Sequence, residues 1–265
     1  MLLLRQLPEG LTQVRMATTW LGRPLMFCHA YLVDGLLVDC GHPLVAPEFE
    51  QWAEGADIGK AVITHHHEDH AGNAAVLNRM GITPSAHPLA ASWLAAPPRL
   101  LFYERVIWGQ PPPAAVKPLG EQVATPRYLF RVLHTPGHTG DHVALLEESR
   151  GWLFSGDLFL GDRLLYLRRE EDARQILSSL LAVLQYDFDT VFCAHRGRVP
   201  QGRKLLARKY EFLHEKWQEA CELSRQGKSD REITRRLLGR EGLMTWATAW
   251  DLSKRQLVRS LLSEK

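Results

Sequence analysis

Three segments near the start, Leu11–Thr18, Met26–Val33 and Leu36–Val38, alternate or run apolar between turn residues and predict strands of an antiparallel sheet. Asp34-Gly35, between the last two, predicts a two-residue hairpin turn. Gly59–Thr64 reads as a short strand that runs into a polar, histidine-rich stretch, and Ala71–Met80 reads as a helix stopped by Gly81. Phe130–Leu133, Val143–Leu146 and Trp152–Phe154 are again strand-like, each followed by a polar turn. Ala173, Ile176, Leu177, Leu180, Leu181 and Leu184 recur at helical spacing, and Thr190–Ala194 is a buried-strand pattern leading to His195. From Arg203 onward the pattern is helical. Leu206, Tyr210, Leu213 and Trp217 form one stripe, Ser229–Glu232 is a capping box for a second helix closed by Gly239, and Leu257–Leu262 fall in a third.

This pattern predicts residues 1–202 as a sheet-rich domain whose strands end in polar tips, and 203–265 as a helical C-terminal domain. Residues 88–127 differ: Pro97, Pro98, Pro111, Pro112, Pro113, Pro118 and Pro126 bracket Phe102, Tyr103 and Trp108. We expect an insertion there, able either to cover a cleft as a lid or to pack onto the sheets.

A chain of 265 residues with 45% hydrophobic and 23% charged residues has ordinary globular composition, which excludes disordered and fibrous classes. It holds no uncharged apolar run of about 18 residues, so no membrane span is expected. MLLLRQLPEG lacks a basic stretch before its apolar run, so we expect a cytoplasmic protein. Cys28, Cys40, Cys193 and Cys221 are widely spaced and read as reduced thiols. The net charge of +2 conceals an asymmetry, because residues 203–265 carry fifteen Lys and Arg against nine Asp and Glu, a net +6, leaving −4 for the rest. Arg235, Arg236, Arg240, Lys254, Arg255 and Arg259 form a candidate basic face for nucleic acid; the alternative, which we favour, is that these helices cap the substrate pocket or a homodimer.

The chemistry is concentrated in His65-His66-His67-Glu68-Asp69-His70, four of the twelve histidines within six positions directly after a predicted strand. Neutral imidazole is the commonest metal ligand, and His65 and His67, two apart in extended chain, reach one ion while Asp69 and His70 turn toward another. Pro136-Gly137-His138, Ser155-Gly156-Asp157 and Ala194-His195 repeat one layout, a strand ending in a turn that carries one ligand. Together they offer enough nitrogen and oxygen donors for two ions, with no thiolate among them.

The His-x-His-x-Asp-His run, followed by His138, Asp157 and His195 in that order, resembles the metallo-β-lactamase superfamily over roughly residues 10–200. The resemblance implies an α+β fold, a four-layer αββα sandwich with its ions at one edge between the sheets and, here, a C-terminal helical extension. It puts His65, His67 and His138 on one metal, Asp69, His70 and His195 on the other, and Asp157 between them, with Asp69 and Asp157 as the catalytic carboxylates. Asp39, in LLVDCG, matches the early family aspartate that supports the metal loop from behind.

Asp157 speaks against the class B β-lactamases, which generally lack the bridging carboxylate, and His67 against the flavodiiron oxidoreductases, which have a glutamate there. Leu158–Leu160 offer no hydroxyl where lactonases place a tyrosine, and Cys193-Ala194-His195-Arg196 departs from the Pro-Gly-His-Gly usual in glyoxalase-type enzymes. The resemblance therefore implies a dinuclear hydrolase whose bridging hydroxide attacks a small-molecule thioester or ester, similar to glyoxalase II. Its alternative is a phosphodiesterase or ribonuclease of the β-lactamase-like protein 2 type, and a single-iron persulfide dioxygenase shares much of the ligand pattern. Zinc is the expected metal, with manganese or iron accepted by the same donors. His134 and His142 are candidates for hydrogen bonds to ligands, His29 reads as a half-buried histidine, and Arg196 as a substrate contact or a surface residue.

Overall fold

The computed structural model describes residues 1–263. Its first sheet takes its strands in chain order: β1 (Leu2–Gln6), β2 (Thr12–Trp20), β3 (Arg23–Val33), β4 (Leu36–Val38), β5 (Lys60–Ile63), β6 (Ser85–Ala86) and β7 (Lys117–Pro118). β1 to β4 pair antiparallel and β4 to β7 parallel. Asp34 (φ 50°) and Gly35 (φ 79°) both sit in the left-handed region, as the tight turn expected between β3 and β4 requires. The second sheet consists of β8 (Gln122–Ala124), β9 (Leu129–His134), β10 (Val143–Glu147), β11 (Trp152–Gly156), β12 (Thr190–Cys193) and β13 (Gly197–Val199). It is antiparallel except between β11 and β12.

Period-two alternation stacks the two sheets. Tyr31, Val33, Leu36, Val38 and Val62 from the first meet Phe130, Leu145, Trp152, Phe154 and Phe192 from the second in one buried cluster. The intervening residues face outward. Ala30, Leu37 and Ile63 pack beneath α1 (Ala46–Glu54) and α3 (Ala74–Arg79) through Phe49, Val76 and Leu77. Ala144, Leu146, Leu153 and Val191 pack beneath α6 (Ala173–Val183), α7 (Gly202–Arg225) and α10 (Lys254–Leu262) through Ile176, Leu180, Leu206, Leu213 and Leu257. The result is the expected αββα order of layers.

Two segments differ from the sequence reading. The helix expected over Ala71–Met80 is two pieces, α2 (Glu68–Ala71) and α3. Asn73 leaves helical geometry so that its amide donates to the carbonyls of Cys40 (2.8 Å) and His42 (3.1 Å). Gly72 lies so close to the neighbouring chain that a Cβ there would fall 2.2 Å from the Glu68 carbonyl oxygen and 2.7 Å from that of Gly41. Residues 88–127 contain α4 (Ala90–Ala95) and α5 (Phe102–Ile107) and then supply β7 to one sheet and β8 to the other. Within them Trp108 is buried, whereas Phe102 is 80% exposed. The remaining helices, α8 (Asp230–Leu237) and α9 (Leu243–Ala247), complete the C-terminal region, where Ser229 caps α8 and bonds reciprocally with Glu232. No helix among the described residues is long and apolar enough to cross a membrane.

Candidate metal centre

Strand ends from both sheets converge at one edge. β4 delivers Asp39, β5 delivers His65–His70, the β9–β10 connection His138, β11 Asp157 and β12 His195. Seven side chains proposed from sequence are thereby brought together in three overlapping groups: His65 with His67 and His138; His65 with His70 and Asp157; Asp69 with His70 and His195. All are buried except His195, which is partly so. Asp157 lies between the halves, with Oδ2 3.3 Å from His138 Nε2, and Oδ1 3.3 Å from His70 Nε2 and 3.4 Å from His195 Nε2.

The outward nitrogen of each of four histidines meets an oxygen. His70 Nδ1 donates to Asp39 Oδ2 (2.8 Å), His195 Nδ1 to the Phe27 carbonyl (2.9 Å), His67 Nε2 to Glu170 Oε1 (3.1 Å), and His138 Nδ1 to Glu171 Oε1. In its neutral, ligating form each imidazole has one N–H, so these partners would leave the lone pair of the opposite nitrogen turned inward. His138 Nε2 and His67 Nδ1 then face each other at 3.0 Å as two acceptors. His65 Nε2, His70 Nε2 and Asp157 Oδ1 are buried without a hydrogen-bond partner. Two nitrogens at about 2.0–2.1 Å from one zinc in tetrahedral geometry stand roughly 3.3–3.4 Å apart, close to the spacings found here. The donor set therefore fits divalent cations.

Electrostatics divide the cluster. Burial and neighbouring imidazoles push the pKa values of His65 and His67 well down, so both stand neutral, as ligands must. Burial opposes charge on His70 and His195 too, but Asp157 and the other carboxylates around them outweigh it and raise both. Asp157 is correspondingly held far below the usual carboxylate range by His195 and His70, against its own burial. Burial next to Asp69 pushes Glu68 up to about 8.

Asp39 acts from behind: its carboxylate accepts from the Thr64 N–H (2.8 Å), the Thr64 hydroxyl (3.0 Å) and His70. His142 is fully buried, accepts from the Asp157 N–H (3.0 Å) and contacts the Thr135 hydroxyl, and burial takes its pKa down to about 3. Gly156 makes this approach achievable, since with φ 46° a Cβ there would stand 2.6 Å from His142 Nε2. His29 is buried more deeply than its sequence reading, with Nδ1 3.0 Å from the Ala194 carbonyl beside His195. His134 lies outside the cluster, stacked on His87 at 4.4 Å. Arg196 is exposed and donates to the Leu160 carbonyl.

Sequence reasoning missed Glu170 and Glu171, whose run RREED reads as an ordinary charged loop. It missed what holds them as well. The Leu167 and Ser253 backbones pair reciprocally at 3.1 Å, and the Ala173 N–H bonds to the Ser260 hydroxyl (2.8 Å), so the C-terminal region clamps this loop. Arg168 is enclosed by Glu104, Asp251 and Glu170, and Tyr103 donates to Asp251 (2.7 Å). Of the candidate basic face, Arg255 and Arg259 bind Asp230, and Lys254 donates to the Leu238 and Arg240 carbonyls, so these three hold helices together.

Comparison with known proteins agrees with this geometry. The chain is 30% identical over 166 residues to a hydroxyacylglutathione hydrolase of Idiomarina loihiensis, covering 60% of this chain and 55% of that protein. It is 35% identical over 145 residues to one of Cupriavidus taiwanensis, covering 53% and 51%. The chain thus spans about half the length of the curated relatives it matches. A beta-lactamase domain protein from Burkholderia ambifaria superposes with TM-score 0.70 at 22% identity, over 98% of this chain and 88% of that one. A metallo-beta-lactamase from Pontibacter korlensis does so with TM-score 0.65 at 19% identity, over 81% and 99%. Residues 23–195, which carry every donor described above, match the family model of the metallo-beta-lactamase superfamily, and the chain belongs to that superfamily.

Proposed function

We propose that this chain is a metal-dependent hydrolase of a small-molecule thioester or ester. His65, His67 and His138 would hold one divalent ion and Asp69, His70 and His195 a second, with Asp157 lying between the two groups. The observation that carries the reading is the convergence of seven metal-ligating side chains into three overlapping groups, with His65 Nε2 buried without a hydrogen-bond partner and His138 Nε2 facing His67 Nδ1 at 3.0 Å. When bound, two such ions supply a water acidic enough to ionise near neutral pH and positive charge for the developing oxyanion. Zinc suits the nitrogen and oxygen donors best, and manganese or iron are accepted by the same set. The relatives' name, hydroxyacylglutathione hydrolase, points to the thioester class.

The chain's own residues orient and exclude. Asp39 and Thr64 fix His70, Glu170 and Glu171 fix the rings of His67 and His138, and His142 fixes the Asp157 backbone. Asp69, with Oδ2 3.2 Å from His195 Nε2, and Asp157 are the carboxylates at the reacting centre. No thiolate competes, because the Cys193 thiol donates to the Phe159 carbonyl and Cys40 to that of His70.

A ribonuclease reading draws on one surface feature, a cavity of about 350 Å3 bordered by Arg231, Arg235, Arg240 and Trp250. One preparation tests both. Metal content per chain is measured first, then turnover of a thioester and of RNA. About two zinc or manganese ions with thioester hydrolysis, lost in the folded double variant His67→Ala and Asp157→Ala, supports the proposal. RNA cleavage in its place favours the second reading, a single iron points to oxygen chemistry, and a metal-free protein that takes up no added ion overturns both.

A further inference from the structure

A cavity of about 220 Å3 opens directly against His66, His67 and Glu68. One wall is apolar: Trp93, Leu94, Pro97, Pro98, Leu100 and Leu101. The indole of Trp93 lies parallel to the His66 imidazole, centroids 4.9 Å apart and planes 16° apart. His66 is in turn pinned to Asp141, its N–H to Oδ2 at 2.9 Å and its Nδ1 to Oδ1 at 2.8 Å. Trp93 therefore rests on a fixed floor one residue from His67, and with 47% of its surface exposed it has area left for a ligand to cover. Prolines 97 and 98 stiffen the wall, which lowers the entropy lost on closing around a ligand.

The opposite wall carries charges, of which the more buried are already paired. Arg168 is bound by Glu104 and Asp251, and Asp251 also accepts from Tyr103. Arg169 donates to the carbonyls of Ala249 and Trp250, and Arg99 is at the exposed rim. Arg99 and Arg169, both without a carboxylate partner among the described residues, are thus exposed, and the cation nearest the metal loop, Arg168, is the one that is answered. At about 30 Å3 per heavy atom, the share of one water molecule in the liquid, an acyl group of two or three carbons occupies less than half of this volume.

We infer that this cavity receives the acyl group of the substrate, that the acyl group is apolar and longer than three carbons, and that Trp93 reads it. The inference rests on the hydrolase reading above and narrows it, since a hydroxyacyl unit of two or three carbons would leave most of the cavity unfilled.

The test uses the metal-loaded full chain and N-acetylcysteamine thioesters of acetate, lactate, butyrate, hexanoate, octanoate and, as a charged control, glutarate. Expected is a rise in kcat/KM of about fourfold per added methylene as far as hexanoyl or octanoyl, with glutaryl at least about tenfold below hexanoyl. Trp93→Ala lowers the hexanoyl-to-acetyl ratio about tenfold, and Leu101→Trp, which narrows the cavity at a partly exposed position, moves the optimum to shorter chains. Binding of 1-hexanol, followed by ligand-detected NMR, provides a readout without turnover and is weakened in both variants. Turnover of the thioesters with no preference for the longer acyl group, or with glutaryl equal to hexanoyl, overturns the inference and leaves the hydrolase reading standing. Hexanol binding that depends on Trp93 in a protein that hydrolyses none of the thioesters overturns the hydrolase reading and keeps the apolar pocket. Hexanol binding that neither substitution changes overturns the pocket.

Discussion

The sandwich edge and the C-terminal helices use the same residue types in opposite ways. In the helices the charges that join one element to another are answered within the chain. Asp230 takes Arg255 and Arg259, and Glu241 accepts from Thr245, Ser253 and the N–H groups of Lys254 and Arg255. At the edge, His65 Nε2, His70 Nε2 and Asp157 Oδ1 are buried and unanswered. An unpaired buried polar atom costs about 1–3 kcal/mol, so a group of them persists where something outside the chain completes it. Satisfied charge marks structure, and unsatisfied charge marks a site.

The largest effect is expected from Asp157→Ala. Turnover falls at least about a thousandfold, metal content drops, and added ion no longer raises the melting temperature as it does in the parent. Thermal melting with and without added ion, alongside metal analysis, checks this, and a variant that still takes up the ion and is stabilised by it would mean that Asp157 belongs with the structural charges. Asp39→Ala comes next. It strips the partner from His70 Nδ1 and Thr64, and competition with a chelator should show metal affinity reduced about 10- to 100-fold.

Lys209 blurs the division and so sharpens it. It is buried on α7 with Nζ donating to the Leu158 carbonyl (2.6 Å), and burial brings its pKa down to about 8. Between about pH 8 and the unfolded value near 10.4, the unfolded chain binds more protons than the native one, so this group makes stability increase with pH across that window. Melting of Lys209→Met should lack that contribution, and parallel pH profiles for variant and parent would contradict the assignment. The smallest effect is expected at Asp230, which Arg255 and Arg259 hold down at about 2. Its contribution is complete above about pH 4 and fades as pH falls toward 2. With partners largely in solvent, Asp230→Ala should cost at most about 1 kcal/mol by denaturant unfolding and leave turnover unchanged.

What the sequence made legible was whatever is local or periodic. The His65–His70 run is six consecutive positions, and β4, β10 and β12 announce themselves by apolar runs or alternation, so the turns after them could be searched for ligands. β6 and β7, two residues each, carry too little pattern to be seen, and β1 is an apolar start resembling many others. The helix break at Gly72 was hidden because its cause, the carbonyls of Cys40 and His42, lies thirty residues earlier. Glu170, Glu171 and Arg168 look like a solvated charge run, and only the fold shows two of them on histidine rings and the third enclosed by carboxylates. Arg255, Arg259 and Lys254 mislead in the other direction, since a basic stripe in sequence is here partly internal cement.

Every one of the three donor groups draws side chains from both sheets: His65, His67, Asp69 and His70 belong to the first, His138, Asp157 and His195 to the second. An ion held there is a clasp across the open edge of the sandwich. A ligand at a hundred times its dissociation constant adds about 2.7 kcal/mol to the stability of the state that binds it. The melting temperature of this chain should therefore rise and fall with free metal, and scarcity of the ion would shorten the life of the folded protein as well as silence its chemistry.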